Sequence, residues 1–146
     1  MKFNCSTIIN APLEKVAAGF ISEEIMKESQ EGFISKEYLN GVPWDAGSTS
    51  KLLYKNLELS ETILINKLPA EFKALYEHKN MVNTMHCTFT AIDASTTQLV
   101  QVIHYSEFIG FLPKLMSRLF PGMFRKQVQK WLDKFKEAVE KKQDIQ

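Results

Sequence analysis

Hydrophobic and polar residues alternate over the first ten positions, with Phe3, Cys5, Thr7 and Ile9 on one side, which predicts a strand over residues 2–10. Within IINAPLEKV the period changes. Asn10 is a good N-cap and Pro12 suits a first helical turn, where its missing N–H has no partner to lose. Val16, Phe20 and Ile21 give a short apolar stripe, and Ser22 followed by Glu23 and Glu24 predicts a second short helix, roughly Glu23 to Gln30, ending before Gly32. From there the period falls to two. Strands are predicted from Phe33 to Leu39, then as a hairpin, Ser48 to Lys55 and Leu57 to Asn66, around Asn56. Glu71 to Lys79 places Phe72, Ala74, Tyr76 and His78 on one face. Met81 to Ile92 follows with Met85, Cys87, Phe89 and Ala91, and a polar turn leads to Thr97 to Phe108. Beyond Gly110 a helical turn or two reaches Phe120, and Pro121-Gly122 breaks the chain. From Met123 the residues Phe124, Val128, Trp131, Phe135 and Ala138 recur at helical spacing. They predict an amphipathic helix of about five turns whose wet side carries Lys126, Gln129, Lys130, Lys134 and Lys136.

The implied order is strand, two short helices, six antiparallel strands and one long helix. This is an α+β chain in which a curved seven-stranded antiparallel sheet wraps around the C-terminal helix. A single helix cannot easily fill such a curve, so a cavity between the two is expected, and small-molecule sites are usually concave and mostly apolar. The two short helices after the first strand plug the open side.

That order, together with INAPLEKV at the first strand–helix junction, LNGVPWDAGSTSKLLY, ETILINKLPAEF and the closing FKEAVEK, resembles the START-like superfamily, also called SRPBCC, in its polyketide cyclase/dehydrase and lipid-transport branch. The resemblance covers essentially the whole chain, as a single START-like domain over residues 1–146. It implies a helix-grip fold around a hydrophobic pocket. It also spans lipid carriers, hormone receptors, quinone-handling proteins, cochaperone domains and a few cyclases, so the fold leaves function open. Where members commonly carry an aromatic just after the valine of the first helix, this chain has Ala17, which implies room near the pocket's base.

Composition narrows the field by exclusion. Hydrophobic residues make up 45% and charged residues 24%, as in an ordinary globular protein, and the formal net charge is +1 from 18 basic and 17 acidic side chains. That balance lacks the basic surplus of a nucleic-acid binder. The two cysteines, Cys5 and Cys87, lie far apart with no CxxC or Cys/His spacing, so neither a zinc site nor any other metal is expected. No apolar run is long enough to span a membrane and no secretory leader is visible, which gives a cytoplasmic location with free thiols as the expectation. No cofactor motif occurs. There is no GxSxG elbow, HExxH pair, phosphate loop or EF-hand.

Alternation and the helix-grip analogy place Ile63, Phe72, Tyr76, Met85, Cys87 and Phe89 toward the pocket, with Ile65, Ala74 and Leu99. Gln101, Ile103 and Tyr105 come from the last strand, and Phe124, Val128, Trp131 and Phe135 from the long helix. These side chains either fill a core or line a ligand site; the aromatic and methionine content suits a flat or flexible apolar ligand. Glu61, His78, Gln101 and Glu107 interrupt apolar faces. A carboxylate among Leu57, Leu59, Ile63 and Ile65 is costly unless paired. Glu61 is therefore either a ligand anchor or general acid/base, or it is turned outward by a bulge to pair with a lysine such as Lys51. His78 closes its strand face as a rim residue, and His86 and His104 belong to the outer faces.

The segment Phe108–Phe124, FIGFLPKLMSRLFPGMF, is unusually apolar for a connection, with Lys114 and Arg118 on one helical face among Leu112, Leu115, Met116 and Leu119. Three readings stand: a hinged lid over the cavity, with Met116 among its ligand contacts; a surface touching membrane or protein; or ordinary core. For function, the first reading is a carrier or sensor of a small hydrophobic molecule such as a lipid, isoprenoid or polyketide-like compound. The second is a cyclase- or hydrolase-type enzyme working through Glu61, His78, Tyr76 or Tyr105. The third is an interaction module acting through residues 108–124. A monomer or a weak homodimer paired through sheet edges is expected.

Overall fold

The computed structural model describes residues 1–142. Strand β1 (Lys2–Ile9) is followed by helices α1 (Leu13–Phe20) and α2 (Glu23–Ser29). Then come β2 (Phe33–Asn40), β3 (Thr49–Tyr54), β4 (Leu57–Lys67), β5 (Glu71–His78), β6 (Met81–Asp93) and β7 (Thr96–Phe108), and finally α3 (Phe111–Leu119) and α4 (Pro121–Lys141). The seven strands form one antiparallel sheet in the order β1-β7-β6-β5-β4-β3-β2. Every neighbour from β2 to β7 is the next strand in sequence. The α1–α2 connection crosses the sheet, carrying the chain from one edge to the other.

Two local readings need correction. Asn10 does not cap α1. Pro12 precedes the helix in an extended conformation, no side chain caps that end, and the Asn10 N–H instead donates to Glu140 at 2.7 Å, tying the end of β1 to α4. Pro121-Gly122 does not break the last helix either. Pro121 stands in its first turn, where a missing N–H costs nothing, and the break lies at Phe120. Ser22 does cap α2, its hydroxyl accepting from the Ile25 N–H at 3.3 Å. Ser22→Ala is expected to cost about 1 kcal/mol in urea unfolding.

Helix α4 lies along β1 and α2, and the cations on its polar side are not all solvated. Arg125 donates to the Asn4 carbonyl, Gln129 to that of Ser6 and Lys136 to that of Ile8. These are alternate carbonyls of an edge strand, so side chains of α4 satisfy the groups another strand would otherwise seek. The β1 edge is thereby closed to pairing, while the β2 edge stays uncovered, with Ile34, Tyr38 and Leu39 exposed.

The packed core occupies the end of the sheet nearest α1. Cys5, Ile9, Val16, Ile63, Phe72, Phe89, Leu99 and Val139 meet there. Phe20 locks it, with ring centroids 5.0 Å from Phe72, 5.3 Å from Phe89 and 6.3 Å from Phe135, each edge-on. Such contacts are worth about 0.5–1.5 kcal/mol apiece beyond burial. Ala17 is buried in this region but does not face the cavity; Phe20, almost one turn on, supplies the aromatic.

Candidate functional site: a polar cluster under an aromatic cavity

Toward the opposite end, where the β3–β4 and β5–β6 turns, the end of β7 and the start of α4 come together, the sheet and α4 diverge around a cavity of about 440 Å³. Nine aromatic side chains line it, among them Phe72, Tyr76, Tyr105, Phe124 and Trp131. Met85, Ile103 and Val128 complete much of the apolar wall, and Gln101, Glu61 and His78 also reach it. Seven residues placed on that wall by sequence are elsewhere. Ile63, Ala74, Cys87, Phe89 and Leu99 belong to the solid core, in one buried cluster with Val16 of α1 and Phe135, Ala138 and Val139 of α4. Met116 sits on α3, away from the wall. Ile65 is turned away as well, since a bulge between Ile63 and Ile65 reverses the facing of the rest of β4 and brings Asn66 opposite Phe72.

Glu61 does not turn outward. It is buried in mid-strand beside Ser50 of β3, and its partner is Lys36 rather than Lys51, which pairs with Glu58 at the surface. The Lys36 Nζ lies 2.7 Å from Glu61 Oε1, with the two side chains 0% and 4% exposed. Strict alternation from Phe33 would send Lys36 outward. A bulge between Phe33 and Ser35 inserts one residue and turns it in. The Lys36 N–H is fixed in turn by Glu23 at 3.1 Å.

Trp44 covers the other side of the ammonium, with its ring centroid 3.3 Å from Nζ, a desolvated cation–π contact. Its backbone is left-handed (φ 72), unusual for so large a side chain, and Asn66 holds it by donating to its carbonyl at 2.7 Å. Lys36 does not itself reach the cavity wall, whereas Glu61 and Trp44 do. Burial pulls the Lys36 ammonium below its ordinary pKa, with Glu61 opposing that pull.

Around this pair sit two phenols. Tyr76 is pushed well above its ordinary pKa, first by burial and then by the charge and hydrogen bond of Glu61. Tyr54 is raised by burial and by the same charge, and its hydroxyl donates to Gln30 at the end of α2. Tyr54 stacks on Trp131, with centroids 6.5 Å apart and planes 8° from parallel. The indole N–H of Trp131 is buried and has no hydrogen-bond partner among the described residues. Leaving such a donor unsatisfied costs about 1–3 kcal/mol.

The remaining candidates separate cleanly. Tyr105 joins Phe108 and Phe124 in an aromatic cluster at the β7 end, its phenol pKa raised by burial. His78 accepts from the Asn80 N–H at 3.2 Å, and burial with Lys79 nearby lowers its pKa, so its imidazole is neutral at neutral pH. Cys87, raised to about 12 by burial, is a thiol and no nucleophile; Gln101 donates weakly to it at 3.5 Å. His86 pairs with Glu71 on the outer face, and His104 and Glu107 are exposed. Among the described residues no group of three or more His, Cys, Asp and Glu could hold a metal ion. No helix among them is long and apolar enough to cross a membrane.

Lys36, Trp44, Tyr54 and Gln30 escaped the sequence reading. A bulge of one residue and a left-handed tryptophan leave no periodic trace. Tyr54 was legible, as it continues the inward face of Ser50 and Leu52.

No family model and no curated protein matches the chain. Solved structures do. The Zhui aromatase/cyclase of a Streptomyces species superposes with a TM-score of 0.77 at 11% identity, covering 96% of this chain and 93% of its own. A conserved protein from Geobacillus kaustophilus gives 0.72 at 17%, covering 97% and 96%. Norcoclaurine synthase from Thalictrum flavum gives 0.68 at 9%, covering 98% and 95%. At these identities what is shared is the fold, a curved antiparallel sheet gripping a long C-terminal helix.

Proposed function

We propose that this chain binds an uncharged, largely aromatic small molecule carrying a hydrogen-bond acceptor, as a carrier or sensor. The observation that carries the reading is the buried, unpartnered N–H of Trp131 on the wall of an otherwise aromatic cavity. A ligand carbonyl, ether or hydroxyl oxygen would satisfy it. An anionic ligand fits poorly, because among the described residues no lysine or arginine lines the cavity, Lys36 is committed to Glu61, and His78 is neutral.

A matched pair of probes tests this. 2-Acetylnaphthalene and 2-naphthoate share a ring and a carbonyl acceptor but differ in charge, and calorimetric titration should find the ketone at least about tenfold tighter. Equal affinities would remove the charge criterion. Trp131→Phe keeps the ring stacked on Tyr54 and deletes the N–H. It should leave the empty protein as stable as the parent or about 1 kcal/mol more so, while weakening the ketone about five- to tenfold.

A second reading has a specific observation behind it. Glu61 and the Tyr76 hydroxyl share the cavity wall within one hydrogen-bonding cluster, which is the minimum for acid/base chemistry on a bound substrate. The Streptomyces neighbour is an aromatase/cyclase and the Thalictrum one a synthase, so catalysis on this fold has precedent. Under this reading Glu61→Gln abolishes turnover of a bound substrate while preserving its binding.

A further inference from the structure

We propose that residues 109–130 form a docking surface for anionic membranes, placed at the edge of the cavity. Helix α3 has no buried residue. Phe111 is 81% exposed and Leu112 64%, and Leu119, Phe120 and Met123 are exposed beside them. A chain in water gains nothing from leaving five large apolar side chains together on one short stretch, and patches of this kind mark contact surfaces.

The charge pattern selects the partner. Between Glu107 and Asp133 the sequence has no acidic residue but five basic ones, Lys114, Arg118, Arg125, Lys126 and Lys130, in a protein whose overall charge is only +1. All five are exposed. Among the described residues Lys114, Arg118 and Lys126 have no ion-pair partner, and Lys130 reaches only Glu31 at 3.7 Å. Lys114 and Arg118 lie four apart, flanking the apolar side of α3. Lys126 and Lys130 wall a shallow depression whose other sides are Leu119, Phe120 and Met123.

An apolar face rimmed by exposed cations is what an interfacial helix offers to headgroup phosphates and the outer acyl region. A second copy of this chain fits badly, since a two-fold contact through this surface would set cations against cations. Met123 and Gln127 belong both to that depression and to the cavity wall, so docking would bring the cavity's edge to the bilayer. The surface stands on exposure and charge alone and does not depend on what fills the cavity.

Flotation of the full chain with vesicles of phosphatidylcholine and phosphatidylserine at about 70:30, against phosphatidylcholine alone, tests it. Binding to the anionic vesicles only is expected, and it should weaken in high salt. Lys114→Gln with Arg118→Gln should weaken it about twenty-fivefold, at about fivefold per cation. Phe111→Ser with Phe120→Ser should abolish it. All four side chains are exposed, so the melting temperature should not move; should the phenylalanine pair disturb folding, the glutamine pair still reads out the surface. No flotation, equal flotation with neutral vesicles, or indifference to both pairs of substitutions would overturn the proposal. So would a dimer in sedimentation that the phenylalanine substitutions dissolve, which would assign the surface to a second copy.

Discussion

Glu61→Leu is expected to destabilise the protein by about 3–5 kcal/mol in urea unfolding, a larger loss than any surface substitution should give. The cause is what it leaves behind, an ammonium with no exposed side-chain surface, whose one oxygen partner at 2.7 Å is gone and whose other neighbour is the face of Trp44. The pH dependence should identify that cause. Burial already holds Lys36 below its ordinary 10.5, and Glu61 works against burial, so removing Glu61 lowers the folded-state value further. Between the folded pKa and 10.5 the unfolded chain binds a proton that the folded variant has released. The variant's stability should therefore rise with pH across that window, more steeply than the parent's. Lys36→Met combined with Glu61→Leu should recover most of the loss, because apolar pairs of similar volume replace buried ion pairs at little cost. A Glu61→Leu protein with the parent's stability and pH slope would show that Lys36 is not confined beneath Trp44.

The second large effect concerns the interior. Val128 lies on the face of α4 that lines the cavity, and Val128→Trp adds a ring to that space. In a solid core the extra volume would cost about 1–3 kcal/mol. In a cavity of about 440 Å³ it should leave stability unchanged or raised, as cavity-filling substitutions do, while cutting affinity for a neutral aromatic ligand at least about tenfold. Thermal unfolding and titration on the same variant separate the two cases, since only a hollow interior gives lost binding without lost stability.

The fold was legible because nearly all of it is periodic. The alternation of β5, β6 and β7 and the four-three spacing from Phe124 to Ala138 each have one structural solution, and short turns between strands force the neighbour-to-neighbour order. The site was legible only where alternation ran uninterrupted. Phe72, Tyr76, Met85, Gln101, Ile103 and Tyr105 reach the cavity as their strands require. Ile63, Cys87 and Phe89 have the correct facing but the wrong depth, because facing is local and the position of the covering helices is not. Lys36 depends on a bulge beside Ile34, and so does Glu61, whose burial makes sense only once that lysine is turned inward. Periodicity also assigned Lys136 and Gln129 to solvent, whereas both serve the carbonyls of an edge strand more than 120 residues earlier. The apolar stretch before α4 was visible as an anomaly, but only the structure places it outside the core.

The most direct test of a ligand-binding interior is a fluorescence titration with N-phenyl-1-naphthylamine, a neutral aromatic probe that brightens in apolar surroundings. The parent should take up the probe saturably, one per chain, and Val128→Trp should not. Absence of saturable uptake by the parent, or equal uptake by the filled variant, would contradict the assignment of the cavity as the functional site.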